Sequence, residues 1–359
     1  MNERVKNIVV VVVFGLFLIS FFLINVIKSD TLISVSERRK LKQFPEFSSK
    51  KLFDGTFFTE FDDYVTDQFV KRDEFRSLKV NLELKIKNNY NNLYIYNGSV
   101  INQLYPLSTN SVTKLIDKVN FIKNNYLENN KVYFSIIPDK NYFVNNGNLK
   151  LDYQKLESMM ISDLDYATYI DIFDLLNLDN YYKTDTHWKQ ETLVDVVKEF
   201  SKQMNFEISG KYEVQEITKF LGVYAGQLPS KYDYESINIL TNKVISNSKV
   251  YNYETKLVTD VYDSSKVNAL DKYDIYLSGA VPLVTITNSE NTNNKELIVF
   301  RDSFGSSLIP LFIEGYYKIT VVDTRYISPK VLDQFIEFND QDVLFLYNTL
   351  IINDSSSLK

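Results

Sequence analysis

The sequence contains no cysteine and only one histidine in 359 residues. Disulfides, thiolate nucleophiles and cysteine-based zinc sites are therefore excluded, as is any metal site built from several histidines. An all-carboxylate site stays open, but no Asp-x-Asp-x-Asp-Gly calcium loop occurs and no metal is predicted. The formal net charge of −6 is mild, which argues against a nucleic-acid partner. The groups that could serve as nucleophile, acid or base are therefore hydroxyls, carboxylates and a single imidazole.

The single histidine and the single tryptophan lie together in the stretch Thr184-Asp185-Thr186-His187-Trp188. Imidazole is the side chain that changes charge near neutral pH, so imidazole-based proton transfer here must use His187. In an extended segment Asp185 would lie on the same side as His187. Its carboxylate could then accept from one ring nitrogen while the other faces a nucleophile. An ordinary packed histidine is the alternative.

A candidate nucleophile lies far downstream, where an apolar run from residue 296 to 300 leads into Arg301-Asp302-Ser303. A helical pattern follows. Such a strand-to-helix turn places the Ser303 hydroxyl at the carboxyl edge of a sheet, with its own N–H at a helix N-terminus. A capping serine is the alternative for this residue alone. Together with the Asp-x-His stretch, the turn predicts a catalytic Ser-His-Asp set.

The N-terminus is typical of a membrane anchor. Residues 7–27 are almost continuously apolar, close to the roughly 20 residues that span a bilayer. No small-x-small cleavage site precedes Lys28, so we expect an uncleaved anchor, with a cleaved signal as the alternative. Basic residues flank both sides, so charge does not set the orientation. The predicted regions are an anchor at 1–29, a helical juxtamembrane region at 30–92 and an α/β domain at 93–359.

The pattern beyond residue 93 alternates strands and helices, which predicts a mostly parallel sheet flanked by helices. An Asn97-Gly98 turn indicates a hairpin at its start. Residues 207–292 interrupt the alternation with short β-like runs. We expect a β-rich insertion there, either a substrate lip or a structural cover. The remaining expected segments are a helix at 109–128, a helix opening after His187 and ending near 204, and strands at 131–137, 169–172, 296–300, 318–323 and 342–348.

These motifs together resemble the DHHW family, which is related to the periplasmic proteins that O-acetylate alginate through SGNH-hydrolase-like domains. The first histidine of the family's naming motif is Thr186 here, and Lys189–Thr192 replace the small residues that usually follow the tryptophan. The matching stretches are Glu37-Arg38-Arg39 through Phe44-Pro45, Asp54-Gly55, Asp67-Gln68-Phe69 with Arg72, Ile137-Pro138-Asp139-Lys140, Thr184–Trp188, Gly222, Tyr273–Leu277, Asp302-Ser303-Phe304, Asp323–Tyr326 and Leu346-Tyr347-Asn348.

The resemblance implies an SGNH-hydrolase-like fold with the motifs in circularly permuted order. It assigns Ser303 as nucleophile, His187 as base and Asp185 as the partner that orients the base. Asn348, at the end of a late strand, stands where an oxyanion-hole asparagine would lie, with a turn residue as the alternative. Three basic residues at strand ends could meet an anionic sugar or an acetyl donor, or could form structural ion pairs: Arg301, Lys140 and Arg325.

The function implied is extracytoplasmic transfer of an acetyl group to a polysaccharide hydroxyl. A multipass membrane O-acyltransferase would supply the acetyl group, and no acetyl-CoA site or other cofactor is expected. Two alternatives stay open. A carbohydrate acetyl esterase would use the same residues with water as acceptor, whereas a non-catalytic glycan-binding or assembly factor would not use Ser303 chemically.

Overall fold

The computed structural model describes residues 2–359, which form two compact units. The first unit runs through Tyr90 and includes Ala225–Lys231. The second unit comprises Asn91–Tyr224 and Tyr232–Lys359 and contains the large sheet.

The first unit is mostly helical. Its first helix is, among residues 2–359, the one helix long and apolar enough to cross a membrane, a test that a signal sequence also passes. Two of its helices, at residues 56–68 and 72–87, are amphipathic. The elements are α1 (Glu3–Ile27), β1 (Ile33–Ser34), β2 (Arg39–Lys40), α2 (Ser49–Phe53), α3 (Thr56–Gln68) and α4 (Arg72–Lys87).

Ion pairs organise the charged residues of this unit. Asp67 accepts from both terminal nitrogens of Arg39 at 2.7 and 2.6 Å. That interaction, supported by the backbone N–H of Lys42, lowers the pKa of Asp67 to about 2 although burial opposes the shift. Glu37 accepts from Arg72 at 2.5 Å. The charged motif that matches the DHHW pattern therefore folds the segment after α1 onto α3 and α4.

The second unit is built on one eight-stranded sheet in the order β10-β9-β11-β13-β12-β14-β5-β6. The five strands β13, β12, β14, β5 and β6 are parallel to one another, and β10, β9 and β11 run antiparallel at one edge. Its strands are β5 (Val132–Ile137), β6 (Thr168–Tyr169), β9 (Lys249–Asn252), β10 (Val258–Asp260), β11 (Leu283–Thr287), β12 (Glu296–Arg301), β13 (Lys318–Val322) and β14 (Asp342–Asn348).

Helices cover both faces of this sheet. Alternate side chains of β12 point to opposite faces, so Leu297 and Val299 join one apolar cluster while Ile298 and Phe300 join another. The expected fold class is confirmed: a mixed α/β fold with a large, mostly parallel sheet flanked by helices, and an N-terminal apolar helix. The remaining helices are α5 (Thr109–Tyr126), α6 (Tyr153–Asp163), α7 (Val194–Met204), α8 (Val223–Gln227), α9 (Lys243–Asn247), α10 (Gly305–Leu308) and α11 (Thr349–Asn353).

Two hairpins complete the unit. The first, β3 (Leu93–Tyr96) with β4 (Ser99–Asn102), turns at Asn97 and Gly98. Both turn residues have positive φ, 47° and 77°, as a tight hairpin turn requires. The second pairs β7 (Glu213–Phe220) with β8 (Glu235–Thr241).

Three expectations need correction. The 207–292 region is β-rich as expected, but its later strands β9, β10 and β11 extend the large sheet. The strand expected at 169–172 pairs only over Thr168–Tyr169. The helix expected to open at His187 begins at Val194, after a short 3₁₀ turn at Gln190–Thr192.

Candidate active site

The candidate site forms where β5, β12 and β14 end side by side. Arg301 of β12 pairs in register with Leu346 of β14, and Asn348 pairs with Ile137 of β5. Because these strands are parallel, the residues that follow them meet at one carboxyl edge. Ser303 lies there in the predicted turn, two residues after β12 ends and two before α10 begins.

The three residues predicted as a Ser-His-Asp set are brought together. His187 Nε2 lies 2.8 Å from Ser303 Oγ, although the two residues are 116 positions apart. His187 Nδ1 lies 2.7 Å from Asp185 Oδ1. Asp185 is almost fully buried, and Ser303 is half-buried. A hydroxyl on an imidazole that is itself held by a buried carboxylate is the arrangement that serine acyl-enzyme chemistry requires.

The segment carrying Asp185 and His187 is bent, so the geometry considered for an extended segment does not apply. It forms the loop between Tyr181 and Trp188, which face each other in an isolated bridge. Asp185 Oδ1 also accepts from the backbone N–H of His187 at 3.1 Å, the local turn that aspartate favours. The two side chains therefore meet through this turn and not through strand alternation.

The Asp185 carboxylate is held in its charged form. Burial acts to raise its pKa, but the hydrogen bond and charge of His187 and the backbone N–H groups of Val223 and His187 outweigh burial, so the pKa lies well below its usual range. Val223 N–H donates to Asp185 Oδ2 at 2.8 Å. A buried charged aspartate of this kind fixes the imidazole tautomer.

Residues of the 207–292 region support the Asp185 loop, which no local sequence pattern predicts. Glu235 accepts from the backbone N–H of Lys183 at 2.7 Å and from the backbone and hydroxyl of Thr184 at 2.9 and 2.7 Å. A Cβ on Gly222 would lie 2.2 Å from the carbonyl oxygen of Thr184, so only glycine fits there. The region is thus part of the site's framework.

Aromatic packing fixes the imidazole ring. The ring of Tyr273 stacks on His187 with centroids 3.9 Å apart and planes at 11°. The Tyr273 hydroxyl lies 2.6 Å from Ser307 Oγ, in the helix that follows Ser303. The sequence identifies Tyr273 only as part of a motif, because a contact between residues so far apart in the chain leaves no local pattern.

Trp188 and Gln190 tie the histidine loop to the serine turn. Trp188 Nε1 donates to Phe304 O at 3.1 Å and to Ser307 Oγ at 2.9 Å. Gln190 Nε2 donates to Ser307 O at 2.6 Å. Gln190, one of the residues at which the sequence departs from the DHHW pattern after the tryptophan, is therefore buried and hydrogen-bonded to the helix that follows Ser303.

Lys140 lies behind the Asp185 loop. Its Nζ donates to the carbonyls of Tyr182, Lys183 and Asp185 at 2.7, 3.1 and 3.0 Å. Burial lowers the pKa of Lys140 to about 7, although the charges of Asp185 and Glu235 oppose the shift. These contacts hold the Asp185 loop in place, and a contact of Lys140 with an anionic sugar or an acetyl donor stays a prediction.

Asn348 is fully buried between strand ends. Its Nδ2 donates to Ile137 O at 2.9 Å and Pro138 O at 3.3 Å, and its Oδ1 accepts from Leu350 N–H at 2.9 Å. These contacts favour the structural alternative, and an oxyanion role for Asn348 stays a prediction. Asp302 braces the serine turn, as its carboxylate accepts from Phe304 N–H and Asn348 N–H.

The other two predicted basic residues form an ion-pair cluster on Asp323. Arg301 is fully buried beneath the serine turn, with Nη1 3.3 Å from Asp323 Oδ2 and Nη2 donating to Gly279 O at 3.1 Å. Arg325 binds the same carboxylate through Nε and Nη2 at 2.9 and 2.6 Å. Both arginines therefore form ion pairs, and their contact with an anionic sugar or an acetyl donor stays a prediction.

Among residues 2–359 no cluster of three or more His, Asp or Glu side chains could hold a metal ion. The helix after Ser303, α10, has four residues, so its dipole contribution to an oxyanion is small. The site can deprotonate a serine hydroxyl and store the proton on imidazole.

Comparisons with known proteins agree with this fold. No family model matches the sequence, and no curated protein matches it. Among solved structures, a DHHW family protein from Eubacterium siraeum has a TM-score of 0.61 at 18% identity, over 75% of this chain and 94% of that chain. PatB1 from Bacillus cereus, solved with a sulfonyl adduct, has a TM-score of 0.55 at 18% identity, over 72% and 94%.

The O-acetyltransferase domain of AlgJ from Pseudomonas putida is also similar, with a TM-score of 0.44 at 9% identity over 74% of this chain and 95% of that chain. A TM-score of 0.44 is a weak structural similarity. The resemblance to a DHHW family protein is confirmed at the level of the fold.

Proposed function

We propose that this protein is a membrane-anchored, extracytoplasmic acyltransferase that moves an acetyl group through Ser303 to a polysaccharide hydroxyl. The observation that carries the proposal is the chain of two short contacts, Ser303 Oγ to His187 Nε2 at 2.8 Å and His187 Nδ1 to Asp185 Oδ1 at 2.7 Å. The fold shared with a DHHW family protein and the motif resemblance support it.

In the first half-reaction Ser303 Oγ attacks the carbonyl carbon of an acetyl donor. His187 accepts the serine proton, and Asp185 stabilises the resulting imidazolium. The tetrahedral intermediate collapses, the bond to the donor's leaving group breaks and that group takes the proton from His187. Acetyl-Ser303 remains.

In the second half-reaction a glycan hydroxyl attacks acetyl-Ser303. His187 removes the hydroxyl proton and returns it to Ser303 Oγ as the ester bond to serine breaks. The product is an O-acetylated glycan and free serine. Water in place of the glycan would give an esterase, so the acceptor decides between the two activities.

The proposal also covers the membrane anchor and the source of the acetyl group. Residues 1–29 would anchor the chain, residues 30–92 would form the juxtamembrane region and residues 93–359 the catalytic domain. The donor would reach Ser303 from a multipass membrane O-acyltransferase, as the motif resemblance implies, which removes the need for an acetyl-CoA site in this chain.

The test is to measure ester-linked acetate on purified extracellular polysaccharide from strains carrying single substitutions. Ser303→Ala and His187→Ala should each lower acetate to the level of the deletion strain, and the double variant should be no lower because the residues act as one unit. Asp185→Asn should fold and lose most activity.

Ser306→Ala is the matched control. Ser306 is buried three positions from Ser303, and its hydroxyl has no hydrogen-bond partner among residues 2–359. Acetate should stay at the wild-type level. More acetate in the Ser303→Ala strain would indicate that the protein hydrolyses acetyl esters and does not form them. Unchanged acetate in every point variant would indicate a non-catalytic factor.

A further inference from the structure

Helix α4 carries an apolar stripe that is largely exposed. Phe75, Leu78, Leu82 and Ile86 follow steps of three, four and four residues, so they share one face along the helix. Their exposed fractions range from 45% to 79%. A surface helix normally turns such a stripe to the core, and an exposed one marks an interaction surface.

The start of α4 is joined to the apolar helix α1. The ring of Phe21 lies against those of Phe69 and Phe75, with centroids 6.0 and 6.2 Å apart. Asn25 Oδ1 accepts from Val70 N–H at 2.8 Å. Two independent kinds of contact therefore hold the α3–α4 junction beside the last turns of α1.

This junction fixes depth relative to a bilayer spanned by α1. Phe21 precedes the end of the helix at Ile27 by about 9 Å, at 1.5 Å per residue. Phe75 lies beside Phe21, so the first turn of α4 lies at a depth, measured from the end of α1, within the roughly 5–10 Å to which interfacial helices bury their apolar face. The apolar stripe begins at that level and continues over the whole length of α4.

The charges beside the stripe suit a lipid surface. Lys79 and Lys85 lie about 60° to either side of it, by the 3.6-residue repeat. Lysines in that position keep an apolar stem near the acyl boundary while the ammonium reaches the headgroups. Anionic headgroups would attract both side chains.

We propose that α4 lies in the bilayer interface with the face Phe75-Leu78-Leu82-Ile86 among the lipids, as a second membrane contact beside α1. The inference rests on the proposed anchor and is independent of the chemistry at Ser303. It gives the chain a contact along the membrane plane, whereas a single spanning helix would leave the juxtamembrane region free to pivot.

The absence of native cysteine makes a direct test available. Single cysteines at Leu82→Cys and Ile86→Cys in the full chain are spin-labelled, and the protein is placed in nanodiscs of phosphatidylethanolamine and phosphatidylglycerol. Collision rates of each label with oxygen, which concentrates in the bilayer, and with a water-soluble nickel chelate are then compared. Both labels should collide more with oxygen than with the chelate.

Two further positions make the outcomes distinct. Asn81→Cys, an exposed neighbour off the stripe, should favour the chelate, and Phe17→Cys within α1 should favour oxygen strongly. Leu82→Cys as aqueous as Asn81→Cys would overturn the proposal while the anchor stands. A Leu82→Cys label shielded from both reagents would also overturn it, since a protein would then cover the face. An aqueous Phe17→Cys would remove the anchor itself.

Discussion

Ser303 owes its proposed reactivity to one imidazole, because the chain has no other histidine. A sulfonyl fluoride should therefore label Ser303 alone, since the Ser303 hydroxyl lies 2.8 Å from His187 Nε2. Peptide mass mapping of the labelled protein checks this. Ser303→Ala should take up no label, whereas Ser306→Ala should label like the wild type. Equal labelling of the Ser303→Ala protein would remove the nucleophile assignment.

Asp185 makes stability depend on pH in the acid range. Its folded pKa lies below the unfolded value of about 3.9, so on acidification the unfolded chain binds the proton first. The stabilisation is complete above that value and is lost as pH falls below it. Denaturant titrations between about pH 5 and pH 2 should show a steeper loss for the wild type than for Asp185→Asn.

The exposed carboxylate Asp165 provides the control for that titration. Asp165→Asn should keep the wild-type slope. A parallel loss in the wild type and Asp185→Asn would mean that the carboxylate is not held in its charged form.

Lys140 is expected to matter through the loop that it clamps. Lys140→Met removes the donor to three backbone carbonyls. Each buried carbonyl that finds no other donor costs about 1–3 kcal/mol. We expect a loss of about 2 kcal/mol in the free energy of unfolding and slower sulfonyl labelling of Ser303. Lys189→Met, which removes one bond to Asp179 O in an exposed setting, should stay within about 0.5 kcal/mol of wild type.

At the scale of elements, the hairpin β7–β8 contributes to a site that it does not enter. Glu235, at the first position of β8, fixes the backbone of Lys183 and Thr184. Glu235→Gln places an amide N–H₂ where an acceptor is needed, so the Asp185 loop should shift. The rate of sulfonyl labelling of Ser303 should fall by about 10- to 100-fold.

Glu216 on the partner strand is the matched control, since among residues 2–359 its carboxylate accepts from the Ser236 hydroxyl alone, at the surface. Glu216→Gln should label at the wild-type rate. Equal rates for Glu235→Gln and wild type would show that the hairpin is a cover and does not position the loop.

The sequence predicted local features well. The Asn97-Gly98 turn, the parallel strands and the strand–Ser303–helix turn each depend on neighbouring residues, and the unique His187 restricted the candidate base to one. The residues that hold Asp185 and His187 in place could not be predicted from such local patterns. Gly222, Glu235 and Tyr273 reach the site only through long-range packing, and no local pattern records which sheet a short strand joins.

At the scale of the whole molecule, the proposed topology places residues 30–359 outside the cytoplasmic membrane. Alkaline phosphatase, which needs an oxidising compartment for its disulfides, should be active when fused after Lys359. A fluorescent protein that matures only in the cytoplasm should stay dark in the same position. Normal fluorescence of that fusion would reverse the orientation and exclude an extracellular glycan as acceptor.

The hairpin β7–β8 forms its own two-stranded sheet and is not hydrogen-bonded into the eight-stranded one. Cooperative units of a protein open at different free energies, and a two-stranded element with an exposed strand belongs to the easily opened ones. Opening it would release Glu235 from the Asp185 loop while the large sheet stays folded. On heating, sulfonyl labelling of Ser303 should therefore be lost reversibly at temperatures below the main unfolding transition.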